Sequence, residues 1–447
     1  MTDRLMTPRA GRLRRGGALI AVTGLMAVTA CNLDVITPTV VPPAATAGES
    51  ALPTLLAGVV GDFAVAYAGI NNGNNGEGLV LNSGLFSDEF VSADYFSTHL
   101  EIDTRDVHPP NSSNTGVMRS LFRAWTSANA ASARYAESAP NDPGHARTLS
   151  IAGYVYTLVA EDYCSGVPFS TINADGSFNY GSPLTTDQML TAAVAKFDSA
   201  ITVAQAASDD RERFLAEIGK GRALLDAGQF DAAAAAVADV PDDYNFSTEH
   251  SVIDPRTENG VYALTHVSSR YTTLDKEGGN GLPFISADDS RAQFDDLGLS
   301  QFDSQTEIFA PAKYSSYTSP VALATGVEAR LIEAEAALKG GSYPTALGTL
   351  NSLRASKSLT PLAPVVGADA QVDQLFRERA FWLFATGHRM GDLRRLLKQY
   401  NRSQADVYPT GDYFKGAVYG DQVAFPVPQT EENNPNFDRA ACDPTAP

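Results

Sequence analysis

The stretch FRERAFWLFATGHRMGDLRR spans Phe376 to Arg395. Its apolar residues Phe376, Ala380, Leu383 and Phe384 recur at spacings of three and four, the period of one helix face, and the run ends at Gly387. A second short helix follows, carrying Leu393, Leu396 and Leu397. Between and along the two helices sit Arg379, His388, Arg389, Asp392, Arg394 and Arg395, dense enough to pair across the turn as well as one helical turn apart. The pattern predicts a helix-turn-helix block whose apolar face is buried.

The rest of the chain bounds what such a block belongs to. With 447 residues it can bury a large core, as one elaborated domain or two interlocked ones. At 44% hydrophobic and 19% charged, its composition is that of a globular protein and excludes wholesale disorder or multiple membrane spans. The 52 acidic side chains outnumber 33 basic ones, for a formal net charge of −19. A surface of that sign repels phosphates, so nucleic acid is excluded as a partner.

Residues 1–15 carry five Arg, and Gly16 to Val28 is a mostly apolar run. The run is too short to span a bilayer but suits a signal-peptide core. It ends in Val28-Thr29-Ala30-Cys31, which resembles a bacterial lipobox. Residues 1–30 are therefore expected to be a lipoprotein signal peptide and Cys31 to carry lipid, with ordinary cleavage beside an incidental cysteine as the alternative. Residues 31–48, with Pro38, Pro42 and Pro43, read as an extended tether.

Residues 49–447 divide by texture. From about 49 to 243 helical periodicity prevails: a helix over Leu52–Ala68, others over Leu121–Ser138 and Thr148–Tyr163, a helical pair from Thr186 to about Ala206, and a further pair over Arg211–Ala238. Asn71–Gly78 is a loop by composition. From about 244 to 324 periodicity fades into turn-rich sequence with β-prone pieces at Val261–Val267 and Phe309–Tyr317. From about 325 to 447 helical pairs return and lead into the opening stretch. An internal echo links the halves: Leu225-Asp226-Ala227-Gly228-Gln229-Phe230-Asp231-Ala232-Ala233 corresponds, 113 positions later, to Leu338-Lys339-Gly340-Gly341-Ser342-Tyr343-Pro344-Thr345-Ala346. In each, a helix ends at Gly, an aromatic opens the next helix, and an Ala three residues on permits close packing. This resembles the tetratricopeptide repeat. The expected fold is mostly α, with tetratricopeptide-like helical pairs, long loop-rich insertions and minor β.

Gly387-His388-Arg389 followed by Asp392-Leu393-Arg394-Arg395 resembles the C-terminal signature of the SusD/RagB family of outer-membrane nutrient-binding lipoproteins. Phe425-Pro426-Val427-Pro428-Gln429 and Asn434-Pro435-Asn436 resemble the family's terminal segment, and Cys31 stands where its lipid anchor would be. Thr386 and Met390 occupy places where the family has an acidic and an aromatic residue. The resemblance implies a helical lipoprotein on the bacterial outer membrane, facing the cell surface, that captures a nutrient and passes it to a SusC-like TonB-dependent β-barrel transporter. Starch-like glycans, other polysaccharides and oligopeptides are the ligands it implies. Gly387, His388, Arg389, Asp392, Leu393 and Arg395 are read as structural rather than as ligand contacts.

No Gly-x-Ser-x-Gly elbow, His-Glu-x-x-His, phosphate loop or dinucleotide fingerprint occurs, and no Cys/His cluster has zinc spacing. Neither a cofactor nor a metal is expected, and no catalytic residue is assigned. The competing readings are a lipid-anchored glycan hydrolase using two of the many carboxylates, and a helical periplasmic adaptor without a small ligand. With Cys31 lipidated, Cys164 and Cys442 remain as a pair in an oxidising compartment, where a disulfide is the default and two separate thiols the alternative. Sugar binding needs exposed aromatic faces with polar partners. The segment Phe86–Phe96 offers Tyr95 and Phe96 with Asp94 beside them, a region the family uses for ligand contact. The turn-rich insertion adds Tyr271, Phe284 and Arg291.

Overall fold

The structure is a computed structural model that describes residues 48–72, 76–173 and 177–447. The expected signal peptide, Cys31 and the tether up to residue 47 lie outside the described residues, as does part of the Asn71–Gly78 loop.

Several of the helices begin where a side chain or a proline compensates for the unpaired N–H groups of the first turn. Helix α1 (Leu52–Ala68) has Pro53 in that turn. Two short helices, α2 (Leu79–Phe86) and α3 (Ser97–Asp103), follow. Asn111 caps α4 (Ser112–Ser138) by accepting from the Asn114 N–H, and Asp142 caps α5 (Pro143–Asp162) by accepting from Gly144. The Asn111 cap starts α4 earlier than apolar periodicity indicates. A reciprocal capping box between Thr185 and Gln188 opens α6 (Thr186–Ala207). Where the sequence reads as a helical pair, α6 is one unbroken helix. It contains neither Gly nor Pro, and Met189, Ala193, Phe197, Ala200 and Ala204 bury one face along its length.

Asp209 caps α7 (Asp210–Asp226), which turns through Gly228 into α8 (Phe230–Val237). The sequence echo is a structural one. Gly228 and Gly341 both take left-handed backbone angles (φ 73° and 82°), which end one helix and start the next at little steric cost. The corresponding Ala233 and Ala346 are both buried.

After Asn245–Thr248 the insertion departs from the helical scaffold. It returns at Val321–Thr325, which pairs antiparallel with that same strand, so exit and re-entry are adjacent. Within it, Val261–Val267 is helical rather than β: α9 (Gly260–Tyr262) runs into a π-turn at Ala263–Val267. The Asn259 side chain caps it, and Val261, Ala263 and Leu264 are buried, so packing outweighs the strand preference of the isolated sequence. Of the second β-prone piece only its first three residues are strand, the end of Glu307–Pro311, which pairs with Phe294–Leu299. Tyr271–Thr272 pairs with Val91–Ser92 and draws the insertion onto the N-terminal loop.

The chain re-enters helices at α10 (Gly326–Lys339), capped by Thr325, and continues through α11 (Tyr343–Ser356), α12 (Ala368–Trp382) and α13 (Arg389–Tyr400). Sequential helices pack on one another from α4 to α8 and again over α10 and α11, with α8 against α10 joining the two series. The fold is mostly α, built of tetratricopeptide-like helical pairs with loop-rich insertions and short strands. One hydrophobic cluster runs through all of it, from Leu81 and Tyr154 to Tyr271, Phe284, Leu331 and Phe384.

Candidate functional site

The stretch 376–395 is the centre of a buried ion network. Helix α12 ends at Trp382, and Ala385 and Gly387 turn the chain with positive φ (52° and 65°) into α13. Glu89 accepts from the Ala385 N–H (2.8 Å) and fixes that turn; burial pushes its carboxyl up to about 8. Arg379 and Arg395 share Asp392 at 2.8 and 2.7 Å, and Arg395 also reaches Glu335 and Asp226. Burial alone would raise Asp392, but the two guanidinium groups hold its carboxyl far below the usual range. His388 lies 3.2 Å from Glu328 and 2.8 Å from Arg222, itself paired twice with Glu161 at 2.6 Å. Leu393 is buried beside them. The block ties α12 and α13 to α5, α7 and α10, and its charges are spent on one another.

The residues offered as ligand contacts divide. Tyr95 and Phe96 are 58% and 44% exposed. Asp94 is fully buried beneath them and works as an organiser. Its Oδ1 accepts from the Phe96 N–H at 3.0 Å, and its carboxylate meets His99 at 2.9 Å and Arg270 at 3.1 Å. His99 also meets Glu77 at 3.1 Å. Burial would depress the imidazole, but the hydrogen bonds it donates to both carboxylates outweigh it and raise His99 to about 9.

Three residues require correction. Tyr271 is fully buried and donates to Glu77 at 2.8 Å. Phe284 packs against Phe381 and Phe384, with ring centroids 5.2 and 4.8 Å apart. The Arg291 side chain is 4% exposed and held between Asp289 and Glu378, each at 2.6 Å. The insertion folds back onto α12 and the N-terminal loop, so these side chains face inward and build core instead of contacting ligand.

Tyr95 opens onto a cleft of about 550 Å³ that it lines together with Phe414, Lys415, Asp303 and Leu299. The Lys415 ammonium lies 5.1 Å from the Tyr95 ring centre and 5.4 Å from that of Phe414, within cation–π range of both. It is fixed by Asp303 (2.8 Å) and by the Asp94 carbonyl oxygen (2.8 Å). Burial would raise Asp303, but Lys415 and Thr306 hold its carboxyl at about 2. Phe414 and Leu299 are exposed at 48% and 57%. Beside the cleft, the Arg270 guanidinium sits 4.6 and 4.2 Å from the rings of Phe96 and Phe302. Reading the sequence missed Phe414, Lys415 and Asp303. The signal was Gly411-Asp412-Tyr413-Phe414-Lys415-Gly416, adjacent aromatics and a cation bracketed by glycines.

Cys164 and Cys442 form a disulfide with Cα atoms 5.2 Å apart, joining the end of α5 to the C-terminal tail across 278 positions. Among the described residues, no group of three or more His, Cys, Asp or Glu side chains is placed to hold a metal ion.

No protein-family model matches the sequence, and no curated protein matches it. Solved structures do. A SusD superfamily protein from Parabacteroides distasonis superposes with a TM-score of 0.65 at 12% identity, over 87% of this chain and 98% of that one. A SusD-like carbohydrate binding protein from Bacteroides fragilis gives 0.64 at 14% identity, over 88% and 99%. The surface glycan-binding protein A from Bacteroides uniformis gives 0.64 at 13%, over 87% and 99%. The chain has the SusD-like fold across nearly its whole described length.

Proposed function

We propose that this chain is a nutrient-binding protein that holds a glycan in the cleft between Tyr95 and Phe414. The observation that carries the reading is this pair of exposed rings flanking a fixed ammonium, within a SusD-like fold. Sugar C–H faces stack on such rings, and Lys415 and Gln305 supply polar contacts at the cleft wall. The names of the structural neighbours, a carbohydrate binding protein and a surface glycan-binding protein, support the ligand class.

Delivery belongs to the same reading. Residues 1–30 are a signal peptide, Cys31 is acylated, residues 31–48 tether residues 49–447 to the outer membrane at the cell surface, and a SusC-like TonB-dependent barrel receives the ligand. The lipobox-like Val28–Cys31 and the terminal Pro-x-Pro-Gln segment support this.

The test is a glycan array followed by calorimetry on the wild type and on Tyr95→Ala and Phe414→Ala. Binding weakened by both substitutions is the expected result. Absence of binding to any glycan, or affinity unchanged in both variants, overturns the assignment of the cleft.

A further inference from the structure

The wall of the cleft that carries Phe414 and Lys415 belongs to the segment 411–419, and two buried carboxyl groups lie behind it. Asp103, at the end of α3, is fully buried; its Oδ2 accepts from the Ser92 N–H and from the Tyr413 hydroxyl, both at 2.6 Å. Glu277, from the insertion, is 5% exposed, and its Oε1 accepts from the Tyr419 hydroxyl at 2.9 Å. The two tyrosines thus bracket the segment and clamp one acid each. Among the described residues, the other oxygens, Asp103 Oδ1 and Glu277 Oε2, have no N–H or O–H donor although both are shut off from solvent. The tyrosines that hold them are neighbours, with ring centroids 5.5 Å apart, so the two acids lie side by side and each acts on the other.

Two carboxylates cannot share a buried contact without a proton between them, because each oxygen only accepts. We propose that Asp103 and Glu277 hold one proton in common, and that this proton latches the segment 411–419 and so positions Phe414 and Lys415 at the cleft. The groups around the pair do not supply a substitute. Lys415 acts on Asp103 from a distance but is committed to Asp303. Arg105 acts on Glu277 while its own N–H groups bind the carbonyls of Pro409, Gly420 and Gln422. Asp88 adds repulsion toward Glu277 and is paired with Arg389. Burial raises both acids, Asp103 to about 7 and Glu277 well above the carboxylate range.

The sign follows. A carboxyl raised by folding stabilises the closed segment fully below its ordinary value, and the contribution is lost as pH rises through the folded one. Deprotonation sends the shared proton to solvent and leaves two facing anions, so the segment loosens above neutral pH. Its consequence for ligand rests on the cleft reading above; the latch itself does not.

Hydrogen exchange of the full chain across a pH series, corrected for the intrinsic base catalysis of exchange, tests it. In the wild type, protection of residues 411–419 is expected to hold through neutrality and to fall at alkaline pH, where the pair gives up its last proton. Glu277→Gln replaces the shared proton with a permanent N–H donor to Asp103, so its protection should persist at alkaline pH. Tyr413→Phe removes a donor that favours ionised Asp103, and should move the midpoint to higher pH; it serves if the first variant does not fold. A pH-independent wild type, or the same response in wild type and Glu277→Gln, overturns the latch. An intact response with no glycan bound at any pH would instead sink the cleft as a ligand site.

Discussion

Arg389 and Asp88 stand 301 positions apart and meet inside the core in a two-bond ion pair, Nε and Nη2 lying 2.6 and 2.9 Å from the two carboxylate oxygens. The pair joins the N-terminal loop to α13, and Asp88 accepts a further bond from the Leu282 N–H of the insertion. Removing one partner strands the other as an uncompensated buried charge. Arg389→Ala should therefore cost about 3–5 kcal/mol of stability, read from urea denaturation, and Asp88→Ala a similar amount. Replacing both with apolar residues should cost less than the sum of the single changes. Strict additivity would mean that the two side chains act independently.

The exposed and buried aromatics should respond in opposite ways. Tyr95→Ala and Phe414→Ala remove solvent-facing rings and should leave the denaturation midpoint nearly unchanged while each weakens glycan binding by about 0.5–1.5 kcal/mol. Phe284→Ala, which empties a fully buried position against Phe381 and Phe384, should cost about 3–5 kcal/mol of stability. At temperatures where that variant remains folded, its affinity should match the wild type. A binding defect in Phe284→Ala without loss of stability would restore it to the ligand site.

The scaffold was readable because its determinants are local. The expected bounds of the first helix, Leu52 to Ala68, are those observed, and the Gly228 and Gly341 turns announce themselves through their neighbours. The burial of the signature block was readable because its charges alternate with residues at core spacing. The cleft was only half visible. Tyr95 and Phe96 stood out, yet their counterpart Phe414 comes from a remote segment. Tyr271, Phe284 and Arg291 were misplaced for a related reason. An aromatic or a cation in turn-rich sequence looks the same at a loop tip as in a loop folded inward, and only the long-range pairing of Tyr271–Thr272 with Val91–Ser92 separates the two.

The disulfide closes 278 residues and anchors the tail, where Phe425 packs on Phe86 and Tyr163. Reduction, or Cys442→Ser, should destabilise the protein by about 2–5 kcal/mol. Proteolysis should then cut first in the C-terminal tail, because the helical scaffold keeps its own core. Equal protease resistance of the oxidised and reduced forms would show that the tail is held by packing alone.

His99 gives stability a pH signature of its own. It bridges Asp94 and Glu77 as an imidazolium, with Asp94 in turn holding the Phe96 N–H and, through its carbonyl, Lys415. Folding raises the imidazole from 6.5 to about 9, so its contribution is complete below 6.5 and is lost as pH rises through 9. The size is on the order of 3 kcal/mol, since the side chain is almost wholly buried. The check is the difference in unfolding free energy between wild type and His99→Gln, measured from pH 5 to 10; the subtraction cancels the titration of Asp103, which both proteins share. The difference should be flat at the acid end and shrink between neutral and alkaline pH. A difference independent of pH would mean that His99 is held neutral, and that a hydrogen-bonding shape rather than a charge organises the loop beneath Tyr95.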